Sequence, residues 1–257
     1  MQIPPNDFKR RLLAGEQLVG IWMSSVSPLL SEMISLVGYD WMLFDTEHAP
    51  VDVAGVMPLL QAAATGASAS VVRPAWNDKV LIKRHLDQGA QTLLVPFVET
   101  AQEAAAAVAA MRYPPAGIRG VAGSTRASRF GLATDYLRRA NAEVCLLVQI
   151  ETGAALARLE DIAAVDGVDG VFIGPSDLAA SLGHLGNPGH ADVQAALRDA
   201  LTRLKAVGKP AGILATNQAD AQRYLDWGYD FVAASVDTGL LMQAARGLLA
   251  NLNKRGA

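Results

Sequence analysis

Eight short apolar runs, each followed by a stretch with helical spacing, constrain this 257-residue chain more than any other feature. The runs fall at 19–24, 41–46, 70–73, 92–98, 145–150, 170–173, 211–214 and 231–235. Helical patterns lie at 28–37, 53–64, 78–87, 101–112, 154–164, 191–207, 218–227 and 240–252. The runs are continuously apolar rather than alternating, as strands are when a parallel sheet is buried on both faces. Eight such βα units predict one (β/α)8 TIM barrel, a single domain spanning 1–257. An open doubly wound sheet is the rival. It fits less well because no G-x-G-x-x-G follows the first run, which also argues against a nucleotide cofactor.

A hydrophobic fraction of 51% against 18% charge supplies a core of that size. The net charge of −3 and the scatter of arginines outside one loop exclude a nucleic-acid surface. Residues 1–11 are polar, and the alanine-rich stretch 104–110 is too short to cross a bilayer, so no secretion signal and no membrane span are expected. Cys145 is the only cysteine, which rules out an internal disulfide and suits a reducing cytoplasm. Residues 113–131 break the rhythm with Pro114, Pro115, four glycines and Arg119, Arg126 and Arg129. A loop this long in a compact domain is usually functional. Two readings stay open for it. It is either a surface excursion or a flap or arm whose Arg126 and Arg129 meet the distal end of a substrate in a neighbouring subunit.

Active sites of such barrels lie at the carboxyl ends of the strands. There this chain carries Asp45, Glu47 and His48 after the second run, Arg73 after the third, Gln149 and Glu151 after the fifth, and Gly174-Pro175-Ser176-Asp177 after the sixth. Buried charge is costly unless paired or bound to a metal, so this concentration points to a site. Glu151 and Asp177 stand 26 residues apart, one helix plus one strand, which puts them on neighbouring staves. Two carboxylates without a Cys or His cluster suit a hard divalent cation. Either acid alone is more simply a helix cap. None of the lysines closes a strand, so no Schiff-base lysine is available and carbonyl activation falls to a metal.

The runs F-D-T-E-H, V-V-R-P-A-W-N-D, T-L-L-V-P, R-Y-P-P-A-G-I-R-G, R-A-S-R-F-G, V-Q-I-E-T and G-V-D-G-V-F-I-G-P-S-D-L resemble the HpcH/HpaI aldolase family. These are class II pyruvate aldolases that need a divalent metal, typified by 4-hydroxy-2-oxoheptane-1,7-dioate aldolase of aromatic-compound catabolism. The resemblance implies a barrel that reversibly cleaves 4-hydroxy-2-oxo acids to pyruvate, or hydroxypyruvate, and an aldehyde. It also implies Mg²⁺, Mn²⁺ or Co²⁺ held by Glu151 and Asp177. Gln149 and Gly174-Pro175-Ser176 match positions that hold the pyruvate moiety, and Arg73 the residue that stabilises the enolate. His48 matches the general base, Asp87 a helix carboxylate that raises that base's pKa, and Asp45 a carboxylate near the metal's water shell. Members exchange the last helix between subunits and assemble as trimers of dimers, so a homo-oligomer, hexameric in the fullest form, is expected.

The chemistry agrees with that reading. A 2-oxo acid can chelate a cation that then draws charge onto the keto oxygen. Arg73 would stabilise the same oxygen, and His48 has an intrinsic pKa suited to taking the C4 hydroxyl proton. Glu47 is expected to orient a neighbour. Two other functions compete: a lyase acting on acyl-CoA thioesters, which would need a basic surface for the CoA phosphates, and a non-catalytic barrel that binds an oxo acid. The second has no use for a base beside the metal carboxylates.

Overall fold

Eight parallel strands pair in sequence order, and the last returns to the first to close a barrel. They are β1 (Leu18–Met23), β2 (Trp41–Asp45), β3 (Ala69–Arg73), β4 (Thr92–Val95), β5 (Cys145–Ile150), β6 (Val168–Ile173), β7 (Ala211–Leu214) and β8 (Phe231–Val236). The computed structural model describes residues 1–252; the last part of the expected domain, 253–257, lies outside the described residues. Helices alternate with the strands, so the chain is a (β/α)8 barrel. Among the described residues no helix is long and apolar enough to cross a membrane.

Strand alternation divides the core in two. Inward positions such as Leu18, Trp41, Leu43, Val71, Leu147, Phe172 and Phe231 fill the lumen. Outward ones such as Met42, Phe44, Val72, Val148, Ile173 and Val232 join the layer beneath the helices. Two lumen rings are too large for a side chain beside them. A Cβ on Gly20 would overlap the Trp41 ring, and one on Gly212 the Phe231 ring. The lower lumen is stoppered by a helix that the apolar periodicity does not reveal, Asp7–Leu13. Its Phe8 meets Trp41 and Phe231 edge-on, each at 6.0 Å between centroids. Asn6 caps it by accepting the Lys9 N–H. The barrel therefore opens only upward, at the carboxyl ends of its strands.

Several boundaries move from their expected places. The run 92–98 stops being a strand at Val95, because Pro96 has no N–H to donate and Phe97 turns to φ +49°. The pattern 154–164 forms two short helices, Gly153–Leu156 and Leu159–Ala163, separated at Arg158 by φ −114° and ψ 20°. The segment 113–131 is anchored rather than loose. The N–H groups of Ile118 and Arg119 donate to the carbonyls of Ala109 and Arg112, and Arg119 is only 2% exposed.

Candidate active site

The inward row of each strand becomes polar at its last step. Trp41-Leu43-Asp45, Val71-Arg73 and Cys145-Leu147-Gln149 are each two-residue steps along one face, and Glu151 lies one step past Gln149. Parity alone thus aims Asp45, Arg73, Gln149 and Glu151 into the open end. Asp45 and Arg73 are direct partners in the β2–β3 register. All four line a cavity of about 390 Å³, with Trp22, His48, Gly174, Pro175, Ser176 and Asp177 among its other walls.

Arg73 is held on three sides. Its Nε and Nη2 donate to the two oxygens of Asp45 at 2.8 and 2.7 Å. Its Nη1 lies 2.8 Å from Glu47 Oε2, and its guanidinium sits 4.7 Å from the centre of the Trp22 ring. Asp45 also accepts the Trp22 indole N–H at 3.2 Å and the Glu47 backbone N–H at 3.0 Å. Both Asp45 oxygens are therefore engaged with protein donors, which makes Asp45 the orienting partner of Arg73. Burial pushes the Asp45 carboxyl up, but the bonds and charge of Arg73 outweigh this and hold it below the usual carboxylate range. Burial dominates at Glu47 and pushes it up despite Arg73.

Glu151 is the other centre. It is 1% exposed, accepts the Phe97 backbone N–H at 2.9 Å on Oε2 and the Gln149 amide N–H at 2.9 Å on Oε1. Burial pushes its pKa up to about 7; the Phe97 bond opposes this, while the carboxylates of Glu47 and Asp177 add to it. Gln149 is 2% exposed, and its Oε1 has no partner among the described residues. A buried acid reluctant to ionise, a second acid nearby and an orphaned amide oxygen form an oxygen donor set that fits a hard divalent cation. Gly174 leaves room for that carboxylate, since a Cβ there would stand 2.8 Å from Glu151 Cγ and 2.9 Å from Oε1. Gly174→Ala is expected to displace Glu151 and cost about 1–3 kcal/mol in chemical denaturation. A variant as stable as the parent would show that Glu151 has slack.

The structure also separates residues that the sequence places together. His48 is exposed on the cavity wall, but the expected contact with Asp87 is not made within the chain. Asp87 lines a different depression, and its Oδ1 accepts from Arg119 Nη2 at 2.7 Å, a longer-range packing outcome that helix position alone does not reveal. Arg126 and Arg129 line neither wall of the 390 Å³ cavity; they lie on a separate one, so a role at the substrate's distal end is not met within one chain. His184 and His190 stack at 3.6 Å beside Asp192. His184 Nε2 lies 3.3 Å from Asp192 Oδ2, and His190 Nδ1 caps the helix Ala191–Ala206 by accepting the Asp192 N–H. Sequence reading missed Trp22, which shares the inward row of β1 with Leu18 and Gly20. It also missed the Phe97 N–H, whose only signal is the proline before it.

Residues 18–244 match the profile of the HpcH/HpaI aldolase/citrate lyase family. A "Pyruvate aldolase" of Rhizobium etli is 55% identical over 250 residues, covering 97% of this chain and 98% of that one. A "Hydroxypyruvate/pyruvate aldolase" of Sagittula stellata is 51% identical over 245 residues, covering 95% and 97%. The crystal structure of an HpcH/HpaI aldolase/citrate lyase family protein from Burkholderia cenocepacia J2315 superposes with a TM-score of 0.93 at 43% identity, covering 95% of this chain and 98% of that one. With the same barrel, the same span and relatives at this identity named for one reaction class, the chain belongs to the HpcH/HpaI aldolase/citrate lyase family and is a carbon–carbon lyase of the aldolase kind.

Proposed function

We propose that the chain reversibly cleaves a 4-hydroxy-2-oxo acid to pyruvate, or hydroxypyruvate, and an aldehyde, with a divalent cation as cofactor. The observation that carries this reading is the buried Glu151 beside Gln149, facing the Arg73–Asp45–Glu47 cluster across one cavity. Glu151 and Asp177 would hold Mg²⁺, Mn²⁺ or Co²⁺, which supplies Lewis acidity toward the keto oxygen. Gln149 and Gly174-Pro175-Ser176 would position the pyruvate moiety. Arg73, fixed by Asp45 and Glu47, offers a positive charge where negative charge develops, with no reorganisation at the moment of reaction. His48 takes the proton of the C4 hydroxyl as the C3–C4 bond breaks; the electron pair of that bond goes to C3, which then takes up a proton to give pyruvate. The hydroxyl proton returns in the condensation direction. For Asp87 to orient His48 it must come from a second copy of the chain, because the two make no contact within one.

A cytoplasmic enzyme acting on small acids accords with the single cysteine, Cys145, fully buried as a free thiol. The acyl-CoA reading finds little support, since among the described residues no arginine other than Arg73 lines the reaction cavity. The test is pyruvate release from 4-hydroxy-2-oxo acids with each cation. Activity is expected with metal, lost with a chelator and unchanged by borohydride. Turnover that persists in a chelator, or that borohydride abolishes, overturns the proposal.

Exchange of the last helix accounts for a surface that is otherwise hard to place. Asp237 pins the start of the helix Asp237–Ala250 by accepting the N–H groups of Ser24 and Ser25 at 2.9 and 3.2 Å. Beyond it Leu241, Met242, Leu248 and Leu249 are 59–66% exposed, far more apolar surface than a lone helix usually presents. Leu29 and Met33 of the helix Pro28–Ser35, next to β1, and Leu36 that caps its end are likewise bare. A partner's helix laid over them would cover both surfaces in a dimer, the unit from which a hexamer is built. Truncation after Gly239 is expected to reduce the molar mass measured by light scattering to that of a monomer. An unchanged mass would place the interface elsewhere.

A further inference from the structure

On the flank of the barrel lies a second cavity of about 250 Å³ that shares no residue with the reaction cavity. It is bounded by Ile3 and Pro4, the end of the helix Lys79–Asp87, residues 119–130 and the helix Tyr136–Glu143. Its lining includes the apolar Ile3, Leu86, Ala90 and Ala140. It also includes three guanidinium groups, Arg119, Arg126 and Arg129.

Of the three only Arg119 has an acid partner among the described residues, Asp87; Arg126 and Arg129 have none. Arg119 is 2% exposed; its Nη2 donates to Asp87 at 2.7 Å and to the Tyr136 hydroxyl at 2.9 Å, while its Nε has no partner among the described residues. Arg126 donates only to a neutral group, the Gln88 carbonyl at 2.6 Å. Burial, and then the like charge of Arg129, pull its pKa below the usual guanidinium range. The one acid on the wall is Glu143. Its carboxylate is already taken by the Asn6 N–H at 2.7 Å and by Arg139 at 3.2 Å. Arg129 and Phe130 are moreover held at φ +53° and +56°, a region that residues with a side chain rarely occupy. Arg126, half-buried and without a counter-ion beside the like charge of Arg129, is costly in a partly apolar cavity unless an anion joins it.

We infer that this cavity binds a small organic anion, with a carboxylate or phosphate head on Arg126, Arg129 and the Arg119 Nε, and a compact apolar body against Ile3, Leu86 and Ala90. A guanidinium fork accepts either head. The volume lies under the roughly 300 Å³ at which sites for drug-sized ligands begin, so the body is no larger than one ring.

Calorimetric titration of the whole protein with benzoate, and separately with inorganic phosphate, tests this. Benzoate is expected to bind once per chain, and phosphate, which lacks the apolar body, at least tenfold more weakly. The double variant Arg126→Gln, Arg129→Gln should weaken benzoate at least tenfold. Ala140→Leu fills the cavity without altering charge and should do the same, which keeps the test open if the arginine variants fold poorly. Glu151→Gln should leave benzoate binding unchanged. The inference is overturned by a parent protein that binds no benzoate, by phosphate binding as tightly as benzoate, by wild-type affinity in either cavity variant, or by loss of binding in Glu151→Gln, which would place the ligand in the reaction cavity.

Discussion

Arg73→Ala is expected to lower kcat/KM at least about 10³-fold and to destabilise the protein by about 3–5 kcal/mol. The two losses have different origins. The catalytic one removes a fixed positive charge from the cavity wall. The structural one arises because Asp45, 2% exposed, and Glu47 would keep their negative charges with no cation between them, close to Glu151. Removing one partner of a buried ion pair costs far more than the pair contributes, because the remaining charge is stranded away from water. Arg73→Lys separates the effects. A lysine restores one charge but cannot span both Asp45 oxygens and Glu47, so it should recover about half of the stability and little of the rate. Adding Asp45→Asn to Arg73→Ala should return part of the lost stability, a non-additivity expected of residues in one network. Denaturation that leaves Arg73→Ala as stable as the parent would mean that Asp45 and Glu47 find other partners.

The polar ends of the strands were legible because strand parity and barrel polarity are local rules. Once eight apolar runs were recognised, Asp45, Arg73, Gln149 and Glu151 had to face the lumen near its open rim. What those residues do to one another was not legible. Asp45 resembled a carboxylate near a metal's water shell, yet the β2–β3 register sets it directly against Arg73, and register is a relation between strands that no single run contains. Asp87 illustrates the same limit at longer range, since its partner Arg119 lies in a segment without regular structure. The stopper helix Asp7–Leu13 escaped notice because only Phe8 and Leu12 are buried in it, too short a pattern to stand out. Phe97 escaped because its contribution to the site is a backbone N–H, which every residue but proline possesses.

Glu151→Gln is expected to abolish turnover, by at least about 10³-fold, while making the metal-free protein more stable at alkaline pH. The folded protein raises the pKa of Glu151 from 4.5 to about 7, chiefly through burial. The folded state therefore holds this proton more tightly than the unfolded chain does, and stability falls as pH rises between those two values. Above pH 7 the ionised, buried carboxylate costs up to about 3 kcal/mol, because each tenfold gain in proton affinity on folding is worth about 1.4 kcal/mol. Glutamine has the same shape, still accepts the Phe97 N–H, carries no charge, and can donate to Gln149 Oε1 once that amide turns over. At pH 8 the variant should be about 1–3 kcal/mol more stable, a rise of several degrees in Tm. Near pH 5, where the native Glu151 is largely protonated and the unfolded chain is only beginning to gain from its ionisation, the gain should shrink to about 1 kcal/mol or less, and it should vanish below pH 4. Addition of Mg²⁺ or Mn²⁺ should reverse the order, because a ligand stabilises only the form that binds it. Melting curves at the two pH values, each with chelator and with metal, check all of this together. A variant that gains nothing at pH 8 without metal would show that Glu151 ionises freely where it stands, and a native protein indifferent to the cation would remove the reason for keeping so costly a charge there.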